Sequence, residues 1–297
     1  MYNWRDLPIL SSFALGSSTE PSDPVKAKAL FLNFLIAPLT WFFFFYLMGF
    51  LGGVISYWRF PRAHYDLPDI GFELFPEWCP STDPKTNIQS IVLLLFYSYT
   101  AVCSALHPEG RIILIRYFYI NSCMFMTRIT VVGVTSLPNE DMHCNAHYDP
   151  DDLTQPTFAE AFEAVFSRGM PVACGDFIFS GHTACTFIGM LIFHYHDCFP
   201  HPTVTIFFWG CTILALFSII GCRSHYTVDV ILGIYFACFV TSWYLNRATG
   251  VSDEWGSRLI RWLEGQHITN ESHRYPKKSS GSLPTMKVVN PKSNTAL

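Results

Sequence analysis

The chain has 297 residues, of which 50% are hydrophobic, 16% aromatic and only 14% charged. A soluble domain carries about 25% charged residues, so this is the composition of a membrane protein. The formal net charge of −4 lacks the basic excess that nucleic-acid binding demands, and no nucleic-acid partner is expected.

Residues 1–28 read as a cytosolic N-terminal segment, and no cleavable signal peptide is visible in it. The first long apolar run begins near Leu30 and reads as a signal anchor. Six segments then qualify as spans: Ala29 to Tyr57, Asn87 to Ala105, Ile112 to Val134, Ser180 to Tyr195, Thr203 to Cys222 and Tyr226 to Tyr244. A spanning helix needs about 20 mostly apolar residues, and the fourth segment is the shortest of the set. The expected fold is an all-α membrane protein: a polytopic bundle of six transmembrane helices over residues 29–246.

Past the last span, residues 247–297 read as a cytosolic tail. Its stretch from Asp253 to Glu264 is amphipathic, with Trp255, Leu259, Ile260 and Trp262 suited to lipid and Arg258 and Arg261 to head groups. From His267 onward the tail is polar, basic and rich in Ser and Pro, a disorder-type composition. The sequon Asn270-Glu271-Ser272 would go unused on the cytosolic side.

Orientation follows the basic residues. The tail holds Arg247, Arg258, Arg261, Arg274, Lys277, Lys278, Lys287 and Lys292 against four acids. The loop between the third and fourth spans holds Arg168 as its only basic residue and is rich in Asp and Glu. Both termini are therefore expected in the cytosol and that loop on the exoplasmic side, although Arg59, Arg62 and Lys85 in the first loop point the other way.

Most of the ten cysteines lie in apolar segments and read as small buried hydrophobes. Cys79, Cys144, Cys174 and Cys222 fall on the exoplasmic side, where one disulfide can form if that side is a secretory lumen. Its pairing is not readable from spacing.

Two stretches carry the chemistry: Cys174 to Thr183 (Cys-Gly-Asp-Phe-Ile-Phe-Ser-Gly-His-Thr) and His225 to Val230 (His-Tyr-Thr-Val-Asp-Val). The two spans between them return the chain to one membrane face, bringing His182, His225 and Asp229 together. Asp229 lies one helical turn from His225 and can fix its tautomer. An acid inside an apolar helix is costly without such a partner and marks a functional site. This set suits phosphoryl transfer, with His225 as nucleophile backed by Asp229 and His182 as general acid and then base. Ser180, Gly181 and Thr183 at the helix start offer N–H and hydroxyl donors to an anion, and Arg128 in the third span and Arg223 offer positive charge. His194, His196 and His201, with Asp197 and Cys198, sit on the opposite face broken by Pro200 and Pro202, and are not read as a metal site. No metal or cofactor is expected.

These residues resemble the sphingomyelin synthase family, a branch of the lipid phosphate phosphatase superfamily. The likeness runs from about Leu67 to Tyr244. Leu67-Pro68-Asp69 is similar to the family's first motif, and Arg128 through Thr135-Ser136-Leu137-Pro138 to its second. Cys174 to Thr183 is similar to the third, and His225-Tyr226-Thr227-x-Asp229 to the fourth. The resemblance implies a transferase passing a phospho-head group, phosphocholine or phosphoethanolamine and less readily inositol phosphate, from a glycerophospholipid to ceramide. It also implies that the group passes through a phosphohistidine-type intermediate with release of diacylglycerol. It implies His182, His225 and Asp229 as the triad, with Asp69 among the substrate contacts, and a Golgi or plasma-membrane site with an exoplasmic active centre. A homo-oligomer is compatible with it.

The chain departs from the pattern at several points. Lipid phosphate phosphatases place an arginine six residues before the second histidine, where this chain has Ile219. That favours the synthase branch over a phosphatase or phospholipase C-like hydrolase of the same fold. Cys222-Arg223-Ser224 replaces a more acidic or histidine-bearing form, which leaves head-group choice open. The stretch before Ala29 is too short for the protein-interaction domain that some relatives carry.

Overall fold

The computed structural model describes residues 24–59, 67–78, 88–135, 137, 157–168, 178–199, 201–250 and 254–266. Expectations for the polar tail from His267, the sequon, Ser136, Pro138 and the cysteines Cys79, Cys144 and Cys174 lie outside these residues. The described residues form helices and no strand: α1 (Pro24–Arg59), α2 (Ile70–Leu74), α3 (Ile88–Leu106), α4 (Gly110–Val134), α5 (Phe158–Arg168), α6 (Gly181–Tyr195), α7 (Pro202–Gly221), α8 (Thr227–Thr249) and α9 (Trp255–Leu263).

Four described helices are long and apolar enough to cross a membrane: Lys28–Ile55, Gly110–Val134, Pro202–Gly221 and Thr227–Thr249. The two other expected spans correspond to α3, whose apolar stretch is Leu93–Leu106, and to α6. α6 has 15 residues, and at 1.5 Å per residue it falls short of a hydrocarbon core about 30 Å thick. The sixth expected span is longer than the hydropathy suggested, because α8 continues through Arg247 to Thr249.

The helices show their surroundings in their two faces. On α8 the exposed residues Val228, Leu232, Tyr235, Phe239 and Trp243 recur at helical spacing. The opposite stripe of Val230, Gly233, Ala237, Val240, Tyr244 and Ala248 is buried. An apolar outer stripe of this kind suits lipid rather than water. α4 is the central helix: it packs against α1, α3, α6 and α8, and it buries Ile113, Ile115, Ile120 and Met124 almost completely.

Close crossing of α6 and α8 needs a missing side chain. A Cβ at Gly233 would stand 3.0 Å from the Ser180 carbonyl oxygen and 3.1 Å from Thr183 Cβ. The Ser180 N–H donates to the Asp229 carbonyl at 3.0 Å, tying the two motif-bearing helix starts together.

At the opposite end of the bundle, a buried network joins four elements. Arg116 of α4 meets Glu264, just beyond α9, through Nε–Oε1 at 2.8 Å and Nη2–Oε2 at 2.9 Å. Arg116 Nη1 stands 3.1 Å from His196 Nε2, and His196 Nδ1 stands 2.6 Å from Glu109 Oε2. Since an arginine only donates, His196 Nε2 accepts and its Nδ1–H donates to Glu109. Gln266 donates to Glu264 and to the Ala248 carbonyl, both at 3.0 Å. The histidines of the expected non-metal cluster thus have separate roles. His201 caps α7 by accepting from the Thr203 N–H, and His194 is exposed, 6.4 Å from the Trp209 ring.

Candidate active site

Helix capping places both histidines. Ser180 accepts the Thr183 N–H at 3.2 Å and starts α6, so His182 falls in its first turn. Asp229 accepts the Tyr226 N–H at 3.1 Å and starts α8, which fixes the loop bearing His225. The two imidazole rings lie 6.2 Å apart between centroids, inclined by 64°.

Asp229 Oδ2 stands 3.7 Å from His225 Nδ1, and both residues are buried. The carboxylate can therefore accept a proton from that nitrogen after a small approach, and it orients the ring so that Nε2 faces away. His182 is exposed and lines a cavity of about 640 Å³. The cavity's walls come from α1, α3, α4 and α6, with Trp41, Phe45, Phe118 and Phe125 among them, together with Arg128 and His182. Trp41 stacks on Phe45 at 5.3 Å, and Phe45 meets Phe125 at 5.4 Å, forming an aromatic wall.

Arg128 is 6% exposed in the interior of α4. Its guanidinium lies directly against Gly181, where any Cβ would overlap Nη1. A side chain at 181 would push the tip of Arg128 away from the start of α6.

The expected contacts divide into two groups. Arg128, Gly181 and His182 reach the cavity. Ser180 and Thr183 are fully buried; the Ser180 hydroxyl serves as the cap, and Thr183 packs under Gly233. Asp69 and Arg223 are engaged within the protein. Asp69 Oδ2 accepts the Thr227 N–H at 2.8 Å, and Oδ1 accepts the Thr227 hydroxyl at 2.6 Å and the Gly71 N–H at 2.9 Å. Arg223, at φ +54°, donates to the Phe72 carbonyl at 2.8 Å and lies 4.2 Å over the Phe72 ring. Together they fasten the short helix α2 over the His225 loop, and Phe72 meets the Tyr226 ring at 5.4 Å.

Sequence reasoning missed Thr227 and α2 as the clamp on this loop, and the aromatic wall from Trp41 and Phe45. The Thr in the His225-Tyr226-Thr227-x-Asp229 string was the available signal for the first. The composition of the run Trp41 to Tyr46 gave none for the second. Cys222, three residues before His225, is disulfide-bonded.

Comparison with known proteins gives the same region a family. The PAP2 superfamily C-terminal model matches residues 173–246, which include both histidine motifs. A phosphatidylcholine:ceramide cholinephosphotransferase 1 of Caenorhabditis elegans is 27% identical over 276 residues, covering 82% of this chain and 54% of the relative. A phosphatidylinositol:ceramide inositolphosphotransferase of Trypanosoma cruzi is 27% identical over 257 residues, covering 73% of this chain and 75% of the relative. A phosphatidylethanolamine:ceramide ethanolaminephosphotransferase of Trypanosoma brucei brucei is 27% identical over 154 residues, covering 50% of this chain and 45% of the relative. The chain thus spans about half the length of the nematode and T. brucei relatives and three-quarters of the T. cruzi one. The superfamily match thus lies over His182, His225 and Asp229, and the chain is similar, at 27% identity, to three ceramide phosphotransferases that differ in head group.

Proposed function

We propose that this protein is a sphingolipid synthase that moves a phospho-head group from a glycerophospholipid to the primary hydroxyl of ceramide and releases diacylglycerol. The observation that carries this reading is His182, 6.2 Å between ring centroids from the Asp229-backed His225, lining an aromatic-walled cavity beside the buried Arg128. Such a cavity suits acyl chains, and the arginine suits a phosphate.

In the first step His225 Nε2 attacks phosphorus, and the bond from phosphorus to the glycerol oxygen breaks. His182 donates a proton to that departing oxygen, giving diacylglycerol. Asp229 balances the positive charge that forms on His225, and Arg128 balances the negative charge on the non-bridging oxygens. In the second step His182 takes the proton of the ceramide hydroxyl, the oxygen attacks phosphorus, and the phosphorus–nitrogen bond breaks. His225 is restored, with each proton and bond accounted for.

The proposed arrangement has six spans, both termini in the cytosol and the active site on the exoplasmic face of the Golgi or plasma membrane. The Cys222 disulfide near His225 supports this orientation, because disulfides persist in oxidising compartments. Three relatives with three different head groups are each 27% identical, so identity favours none of them.

The test is diacylglycerol release by the purified protein in liposomes, with and without ceramide, for phosphatidylcholine, phosphatidylethanolamine and phosphatidylinositol in turn. A ceramide-dependent phospho-head-group product with one donor supports the synthase and names its head group. Diacylglycerol release that is indifferent to ceramide overturns it in favour of a hydrolase.

A further inference from the structure

Helix α9 has two functional faces, and only one of them belongs to the bundle. Its inner face carries Ser257 and Ile260, both buried, and ends in Glu264, which is fully buried on Arg116. The other face carries Trp255, Leu259 and Trp262, which are 76%, 45% and 53% exposed. These three are spaced four and three residues apart and so lie along one side of the helix. Exposed Arg258 flanks them.

The position of α9 decides what that outer face meets. α8 starts at the candidate site and runs 23 residues, about 34 Å at 1.5 Å per residue, to the other membrane surface. Only residues 250–254 separate its last residue, Thr249, from the first residue of α9. The turn is pinned on both sides: Arg261 donates to the Gly250 carbonyl at 3.0 Å, and Asn33 of α1 donates to the Trp262 carbonyl at 3.4 Å. Arg247, at the end of α8, lies 4.4 Å over the Trp243 ring. With α8 read as spanning, the helix falls at the depth where head groups meet hydrocarbon, with tryptophans and arginines side by side. Tryptophan favours that layer, and arginine beside it favours anionic lipid.

We infer that the outer face of α9, formed by Trp255, Arg258, Leu259 and Trp262, binds the anionic head-group layer of the protein's own bilayer, on the surface opposite the candidate active site. The Glu264–Arg116 pair sets the roll of the helix so that this face points outward. The inference depends on the membrane-spanning reading of α8 and not on the chemistry assigned to the histidines.

The experiment is hydrogen exchange followed by mass spectrometry on the full chain in nanodiscs of phosphatidylcholine alone or with phosphatidylserine. The peptides covering 254–266 are expected to exchange several-fold more slowly when phosphatidylserine is present. Trp255→Ala with Trp262→Ala, and separately Arg258→Glu, are expected to abolish that slowing while peptides of α8 are unchanged. Alanine is the better helix former, so faster exchange in the double variant would not come from helix propensity. Exchange equal in the two lipid compositions, or unmoved by the substitutions, overturns the inference. So does slowing that follows protein density rather than lipid, which would mean that a second copy covers the face.

Discussion

Asp69 and Thr227, separated by 158 positions in the chain, are joined by two hydrogen bonds of 2.8 and 2.6 Å. The contact fixes the residue two places after His225. Sequence reading gave Asp69 to the substrate; its bonds to Thr227 and Gly71 support the proposal that it positions the loop carrying His225. Asp69→Ala is expected to lower kcat on the order of 10²-fold, as misplacement of a reacting group does. KM for the donor lipid should change much less. Thr227→Val, which keeps the backbone bond, should lose less activity than Asp69→Ala. Steady-state kinetics on both variants check the order.

Gly181 and Arg128 act as one unit, because a Cβ at 181 overlaps the guanidinium. Gly181→Ala should displace Arg128 and reduce turnover on the order of 10²-fold, the loss also expected of Arg128→Ala. The double variant should be no slower than Arg128→Ala alone, since neighbours sharing one interaction are not additive. Additive losses would show that Gly181 has a separate role.

The Arg116–Glu264 pair is buried on both sides, with side-chain exposures of 2% and 0%. Arg116→Met leaves a carboxylate without its cation and should destabilise the fold by about 3–5 kcal/mol. Removing both charges, as in Arg116→Met with Glu264→Leu, should recover most of that loss. Thermal unfolding in detergent measures both effects.

His196 provides a pH signature. Burial holds its imidazole below the usual value of about 6.5, against the opposing pull of Glu109. Between the lowered folded value and the unfolded one, the unfolded chain binds more protons, so stability falls as pH drops through that window. Geometry gives the same sign, because a proton on Nε2 would face the Arg116 N–H at 3.1 Å. The melting temperature of the protein should fall as pH is lowered below about 6.5. His196→Gln, which retains a donor and an acceptor, should fall less steeply.

The local geometry of the two motifs was readable in the sequence, because capping and helical spacing are local. Ser180 and Asp229 start their helices where the motifs stand, and the i, i+4 relation of His225 and Asp229 follows from helix geometry alone. The aromatic wall was not readable, since a run such as Trp41 to Tyr46 has the same composition whether it faces lipid or a cavity. The roles of Asp69 and Arg223 were not readable either. Both depend on where α2 folds back, a contact between residues some 150 positions apart. Glu264 looked like one acid of a basic tail, and only its approach to Arg116 gives it a structural purpose.

The central claim, that His225 carries the head group in transit, is tested most directly by an adduct on the protein. The purified protein is incubated with its donor lipid without ceramide, quenched in base to preserve phosphoramidates, and digested for mass spectrometry. The account predicts a phospho-head-group adduct on the His225 peptide, absent in Asp229→Asn and lost when ceramide is added. An adduct on His182 instead, or ceramide product formed at full rate by His225→Ala, would contradict it.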